Sequence, residues 1–177
     1  MRKKYRVFVS YHHENDEDYK KRFEEKGGSI VVSKQNQTED IDSHSEMEAI
    51  IAKIRDKYLR DSTVTIVLIG KETWKQKQID WEIAASIQKI QEIPRSGLMG
   101  LILPTHPNFS GKKVEPFLIP PRLYDNIANR YARIYHWTEK LSSIQSWIHA
   151  AVRRKERKEP DNSRPLFRKN YSGSRWE

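Results

Sequence analysis

Cysteine is absent from the 177-residue sequence. Its absence excludes a disulfide framework, a thiolate zinc site and a cysteine nucleophile, and it suits a protein that works in a reducing cytosol. No stretch approaches the roughly 18 apolar residues of a membrane-spanning helix. The basic first residues run into a short strand-like segment and not into the apolar core of a signal peptide. We therefore expect a cytoplasmic protein that is neither secreted nor inserted into a membrane.

Short runs rich in β-branched and aromatic residues alternate with segments of helical periodicity. The predicted strands are residues 5–10, 29–33, 64–69, 98–103 and 131–137. The predicted helices are residues 16–26, 43–58, 71–91 and 138–158. The proline-rich stretch 105–129 is expected to be irregular. This alternation predicts an α/β fold, a flavodoxin-like three-layer sandwich whose central parallel sheet has about five strands.

The usual nucleotide and metal motifs are also missing. The glycine pair at 27–28 lacks the spacing of a dinucleotide-binding loop, and Gly70 has no upstream glycine of a phosphate-binding loop. The third predicted strand ends at Gly70 and not at an acceptor aspartate, which argues against a phospho-acceptor receiver domain. His12 and His13 are adjacent and would point to opposite sides of an extended segment, so we expect no metal site.

The formal net charge of +9 is concentrated near the carboxyl terminus, where residues 153–177 contain nine Lys or Arg and four Asp or Glu. A basic chain suggests nucleic acid, anionic lipid or a phosphate-bearing ligand as partner. Nucleic-acid binding by this segment through phosphate neutralisation stays open, but we favour a solvated helix end followed by a flexible tail. The domain is therefore predicted at 1–158 and a basic, flexible tail at 159–177, with no membrane or nucleic-acid partner.

Three segments carry a resemblance to a known family. They are Val7-Phe8-Val9-Ser10-Tyr11, residues 61–74 and Asp80-Trp81-Glu82-Ile83. Together they resemble the TIR-like domains of the Thoeris antiphage defence system, the ThsB type, over about residues 4–155. The resemblance implies a TIR-like fold and a role in antiphage defence.

Enzymes of the family cleave the bond between nicotinamide and ribose in NAD⁺, and many cyclise the ADP-ribose. The resemblance thus implies NAD⁺ as substrate, no separate cofactor, and a diffusible nucleotide signal that activates a downstream effector. It also makes self-association a candidate property. The family's catalytic glutamate lies on the helix after the third core strand, where this sequence has Glu82. A carboxylate there can stabilise an oxocarbenium-like ribose.

Further candidates lie near the predicted carboxyl ends of the strands, where ligands of such sheets bind. Ser10 and Tyr11 end the first strand and are candidate substrate contacts. Lys34 and Lys71 are candidate partners for the substrate phosphates, and Arg6 is a third.

One departure from the family pattern concerns the residues before Glu82. Many catalytic TIR domains have Trp-x-x-x-Glu, whereas this sequence has Gln78 at the tryptophan position. Trp74 lies one helical turn earlier and could face the same way, so both residues are candidate substrate contacts. Two alternatives stay open: Glu82 as a solvated helix residue, and a non-catalytic module that binds a nucleotide or a protein.

Overall fold

The computed structural model describes residues 4–28, 30–33 and 46–176. Strands and helices alternate along the chain. The strands are β1 (Tyr5–Ser10), β2 (Ile30–Val32), β3 (Val64–Ile69), β4 (Gly97–Ile102) and β5 (Ala132–His136). The helices are α1 (His13–Glu25), α2 (Met47–Tyr58), α3 (Lys77–Ile87), α4 (Pro121–Ala128) and α5 (Leu141–Arg157). Single 3₁₀ turns lie at Thr73–Lys75 and Pro116–Leu118.

The five strands form one parallel sheet in the order β2-β1-β3-β4-β5. This order confirms the predicted flavodoxin-like α/β fold. The chain winds outward from β1 to β2 on one side and from β3 to β5 on the other. Strand order therefore reverses between β1 and β3, and a ligand crevice is expected there, at the carboxyl ends of these strands.

Both faces of the sheet are covered by helices. On one face, α1 and α5 bury residues such as Phe23, Ile144 and Ile148 against the sheet. On the other face, α2, α3 and α4 supply two adjoining cores. The central strand β3 is buried along its whole length, as its uninterrupted β-branched run predicts for a strand covered on both faces.

Two predicted elements differ from the structure. The stretch 105–129, expected to be irregular, contains the helix α4. Pro121 occupies its first turn, where no backbone N–H is needed, and so the proline starts the helix and does not break it. The single helix predicted over 71–91 is a 3₁₀ turn at Thr73–Lys75 followed by the shorter α3.

Over its described residues, 158–176, the segment after α5 has no helix or strand, but it packs on the domain. The Nε1 of Trp176 donates a hydrogen bond to the carbonyl of Ile119 at 2.6 Å. The Nε1 of Trp81 on α3 donates to the carbonyl of Phe167 at 2.8 Å. The side chains of Phe167 and Trp176 are buried. This packing differs from the flexible tail expected at 159–177, because two large apolar side chains bury surface against α3 and α4.

Within the part of the chain that the structure describes, no helix is both long enough and apolar enough to cross a membrane.

Candidate active site

Glu82 lies in the middle of α3 and is 1% exposed. Every residue of this helix from Ile79 to Ile87 is buried, since α3 packs between the sheet, α2 and α4. The interpretation of Glu82 as a solvated helix residue is therefore wrong. A carboxylate this well buried is unusual unless its charge is used or compensated.

Hydrogen bonds fix the helix backbone at Glu82 relative to β3. The Ser86 hydroxyl donates to the Glu82 carbonyl at 2.7 Å, and it also lies 2.6 Å from the hydroxyl of Thr65 on β3. All three residues are buried. The position of Glu82 along the helix is thus tied to the central strand of the sheet.

Ser10 ends β1 on the face of the sheet that α2 and α3 cover. Side chains alternate along a strand: Val7 and Val9 pack on the α1 and α5 side, whereas Phe8 packs with Trp81 of α3. Ser10 therefore lies on the same side as Phe8, the side of Glu82. It is fully buried, and its Oγ has no hydrogen-bond partner among the described residues. A buried hydroxyl without a partner is a candidate ligand contact.

Tyr11 lies at the same edge, but its hydroxyl points to α1. The hydroxyl donates to a carboxylate oxygen of Glu17 at 2.5 Å, and the ring stacks on that of His13 with centroids 4.5 Å apart. Burial, the hydrogen bond to Glu17 and the negative charges of Glu17, Glu24 and Glu82 raise the pKa of Tyr11. The carboxylate of Glu82 is therefore close enough to affect the pKa of Tyr11, although the Tyr11 hydroxyl itself is hydrogen-bonded to Glu17.

The remaining sequence candidates are dispersed. Trp74 is buried in the 3₁₀ turn before α3, and its ring lies 6.2 Å from that of Tyr171. Gln78 is half-buried in the first turn of α3, and Lys71 is exposed after β3. Lys34 lies outside the described residues.

Arg6 lies away from this edge of the sheet. It is the second residue of β1, and its guanidinium is 3.4 Å from the Asp61 carboxylate. This contact is at the opposite end of β1 from Ser10. The structure therefore does not bring Arg6 together with Glu82.

A polar cluster on the α1 side of the same edge was not singled out from the sequence. Asp16 is fully buried; its Oδ1 accepts a hydrogen bond from Thr105 at 3.2 Å, and its Oδ2 has no partner among the residues described. Nearby, Asn15 donates to Glu72 at 2.9 Å. The sequence signal that could have found this cluster is the group of acidic residues after β1, Glu14, Asp16 and Asp18.

The amino-terminal half of α3 is held by a buried ion pair and by the tail. Asp80 and Arg122 are both 1% exposed and 2.9 Å apart. The backbone N–H of Phe167 donates to Asp80 at 2.9 Å, and that of Lys77 donates to the Asn170 side chain at 2.9 Å. The helix that carries Glu82 is therefore fixed by contacts with α4 and the tail as well as by its contact with β3.

In the described ranges, no group of three or more His, Cys, Asp or Glu side chains is arranged to hold a metal ion.

A comparison with known protein families identifies the region of the chain that carries these features. Residues 8–107 match the family model of the Thoeris protein ThsB, TIR-like domain. The chain belongs to this family. The match begins in β1 and ends just beyond β4, so the TIR-like region includes Ser10, Trp74 and Glu82. Membership assigns the domain a TIR-type signalling role. A search of curated proteins finds no match to this chain.

Proposed function

We propose that this TIR-like domain cleaves NAD⁺ between nicotinamide and ribose, with Glu82 as the catalytic residue. The observation that carries the proposal is the fully buried carboxylate of Glu82, held on α3 beside the end of β1. The unpartnered hydroxyl of Ser10 on the same face supports a ligand there, since a ribose hydroxyl is a partner that it can bind.

The reaction uses a carboxylate in a simple way. The bond between C1′ of the ribose and the nicotinamide nitrogen breaks, and both electrons leave with neutral nicotinamide. The positive charge that develops on the ribose is stabilised by the Glu82 carboxylate, which acts strongly because water is largely excluded at this depth. Water, or an atom of the ADP-ribose itself, then attacks C1′ and releases a proton. The product is a diffusible nucleotide that activates a downstream effector in the cytoplasm.

The experiment measures nicotinamide release from NAD⁺ by concentrated purified protein, with and without lysate from phage-infected cells. We expect Glu82→Gln to lower the rate by about a hundredfold or more, because it removes the stabilising charge while retaining the shape. Glu92→Gln is the matched control, since Glu92 is exposed after α3. It should release nicotinamide at the unmodified rate, and the thermal midpoints of both variants should stay close to that of the parent.

A non-catalytic binding module is the second candidate function. Two observations favour it: Gln78 stands where many catalytic TIR domains have tryptophan, and the ring of Trp74 is buried beside Tyr171. Absence of nicotinamide release under every condition, with NAD⁺ or another nucleotide still bound, would favour this function over catalysis.

A further inference from the structure

A basic concavity lies at the opposite edge of the sheet from Glu82. It is bounded by the turn between α4 and β5, the start of β5 and the last two turns of α5, and its volume is about 460 Å³. Its lining residues are Arg130, Arg133, Ala150, Arg153, Arg154, Arg157 and Lys158. We call this feature the arginine concavity. Because β5 begins at Ala132, it lies at the amino ends of the strands and is separate from the candidate active site.

Among the residues that the structure describes, no acidic side chain lines the arginine concavity. Among the described residues, Arg133, Arg153 and Arg157 form no ion pair, and the nearby Glu159 pairs with Arg95 at 2.9 Å instead. Arg153 and Arg157 are also four residues apart on α5, a spacing at which like charges repel. The cations are therefore gathered without internal compensation.

The helix macrodipole accounts for part of this charge only. Cations in the last turn of α5 are favoured by its partial negative charge, which suits Arg154 and Arg157. Arg130 follows the end of α4, where a cation is likewise favoured, whereas Arg133 lies in β5 and not in the last turn of a helix. Arg130 moreover has φ of 67°, a left-handed conformation that glycine adopts more readily than arginine. This conformation is common at the residue that follows a helix C-cap, and Arg130 follows the C-cap of α4, Asn129.

Arg154 is held in a defined position at the wall of the arginine concavity. Its Nε donates to the carbonyl of Tyr131 at 3.3 Å. Its Nη2 is buried and has no acceptor within the described part of the chain. One guanidinium of the concavity is thus oriented by the protein, which lowers the cost of ordering this side chain when an anion binds.

The lining indicates the chemistry of the ligand. Guanidinium groups bind phosphate oxygens through paired hydrogen bonds. In the described part of the chain, the lining has no aromatic side chain for stacking on a base and Ala150 as its one apolar residue, which argues against a nucleobase or an acyl chain. The volume lies in the range of small-ligand sites. We propose that the arginine concavity binds a compact anion with two or more linked phosphates, either an inorganic oligophosphate or the phosphate chain of a nucleoside polyphosphate.

The test is calorimetric titration of the full chain with inorganic tripolyphosphate, with orthophosphate and a nucleoside triphosphate as separate arms. The variant Arg133→Gln with Arg157→Gln should weaken tripolyphosphate binding by about tenfold or more, since each loses a charge-assisted contact. Lys112→Gln with Lys113→Gln removes the same charge from an exposed loop and should change it little. If tripolyphosphate and the nucleoside triphosphate bind equally, the site recognises the phosphates alone. If the nucleoside triphosphate binds more tightly, the ligand is a nucleoside polyphosphate.

Arg130→Gly separates binding from folding. Glycine suits the φ of 67°, so the thermal midpoint should stay unchanged or rise, whereas tripolyphosphate binding should weaken. A merely structural arginine would instead leave binding unchanged.

Three results would overturn the proposal. One is no binding of tripolyphosphate or nucleoside triphosphate, and another is an equal loss in the lysine control. The third is tight binding of a duplex oligonucleotide or of phosphatidylserine vesicles without binding of tripolyphosphate, which would make this surface a site for nucleic acid or membrane.

Discussion

At the scale of single residues, Asp16 shows how burial couples charge to stability. Burial raises the pKa of its carboxyl above the usual value of 3.8, while the hydrogen bond from Thr105 and the nearby His12 oppose the shift and Glu72 adds to it. The folded domain therefore holds this proton to a higher pH than the unfolded chain does. As pH rises from the unfolded pKa through the folded one, the free energy of unfolding decreases, and the loss is complete above the folded pKa.

Asp16→Asn should remove this pH dependence. Asparagine keeps an acceptor for Thr105 but has no charge to bury, so the variant should gain stability relative to the parent as the pH rises above the usual aspartate pKa. Denaturant unfolding of both proteins across that range measures the difference. Asp18→Asn, an exposed change on the same helix, is the control and should show no such trend. A constant difference between Asp16→Asn and the parent would show that the Asp16 carboxylate is not destabilised by burial.

At the scale of elements, α1 approaches the end of β3 closely at Gly70. A Cβ added to Gly70 would overlap the carboxylate of Asp16 on α1. Gly70 also donates its backbone N–H to the Thr73 hydroxyl at 2.9 Å, which helps to fix the turn that leads into α3. A side chain at position 70 would not fit, and glycine therefore allows α1 to pack closely against the end of β3.

Gly70→Ala should destabilise the domain by about 1–3 kcal/mol, as expected for overpacking of a buried site. Gly111→Ala, where an added Cβ meets nothing closer than 3.6 Å, should change stability little. Combining Gly70→Ala with Asp16→Ala should cost less than the sum of the single changes, because the second substitution removes the clashing group. Strict additivity in urea unfolding would place the source of the destabilisation elsewhere.

The elements also show what the sequence can and cannot predict. The five strands and their parallel arrangement were predicted because runs such as residues 64–69 are long, β-branched and bounded by turn residues. The sequence does not predict the helix α4, because prolines usually break helices, whereas Pro121 starts this one. Glu82 was selected by resemblance alone. Its burial depends on α2, the sheet and α4 packing around α3, and that information is not local in the sequence.

The same limit applies to the arginine concavity. Arg153, Arg154 and Arg157 were visible as a basic helix end, but Arg130 and Arg133 join them only because β5 lies beside α5 in the folded domain. Similarly, no local pattern indicated that residues after 158 would pack. Phe167 and Trp176 are separated by charged and polar residues, and their partners on α3 and near α4 are distant in the sequence.

At the scale of the whole molecule, the two edges of the sheet have different chemistry. A buried carboxylate and an unpartnered hydroxyl lie towards the carboxyl ends of the central strands, whereas uncompensated cations lie at the amino end of β5. The tail supports the first of these regions, because it contacts α3 through Asp80, Trp81 and Lys77. It is part of the structural support of Glu82.

Truncation after Lys158 should therefore impair both folding and activity. It removes two buried aromatic side chains and the backbone donor to Asp80, so we expect a loss of about 3 kcal/mol or more in the free energy of unfolding. Nicotinamide release should fall with it, because α3 loses the contacts at Lys77 and Trp81 that hold the helix of Glu82. Chemical denaturation and the release assay measure the two effects.

A shorter truncation after Gly173 separates general destabilisation from positioning of α3. It removes Trp176 and its hydrogen bond to Ile119, but it leaves the contacts of Phe167 and Asn170 with α3. Stability should therefore decrease while release from the folded fraction is retained. If the longer truncation left both quantities unchanged, the segment would be a solubilising appendage, and α3 would be held by the sheet, α2 and the Asp80–Arg122 pair alone.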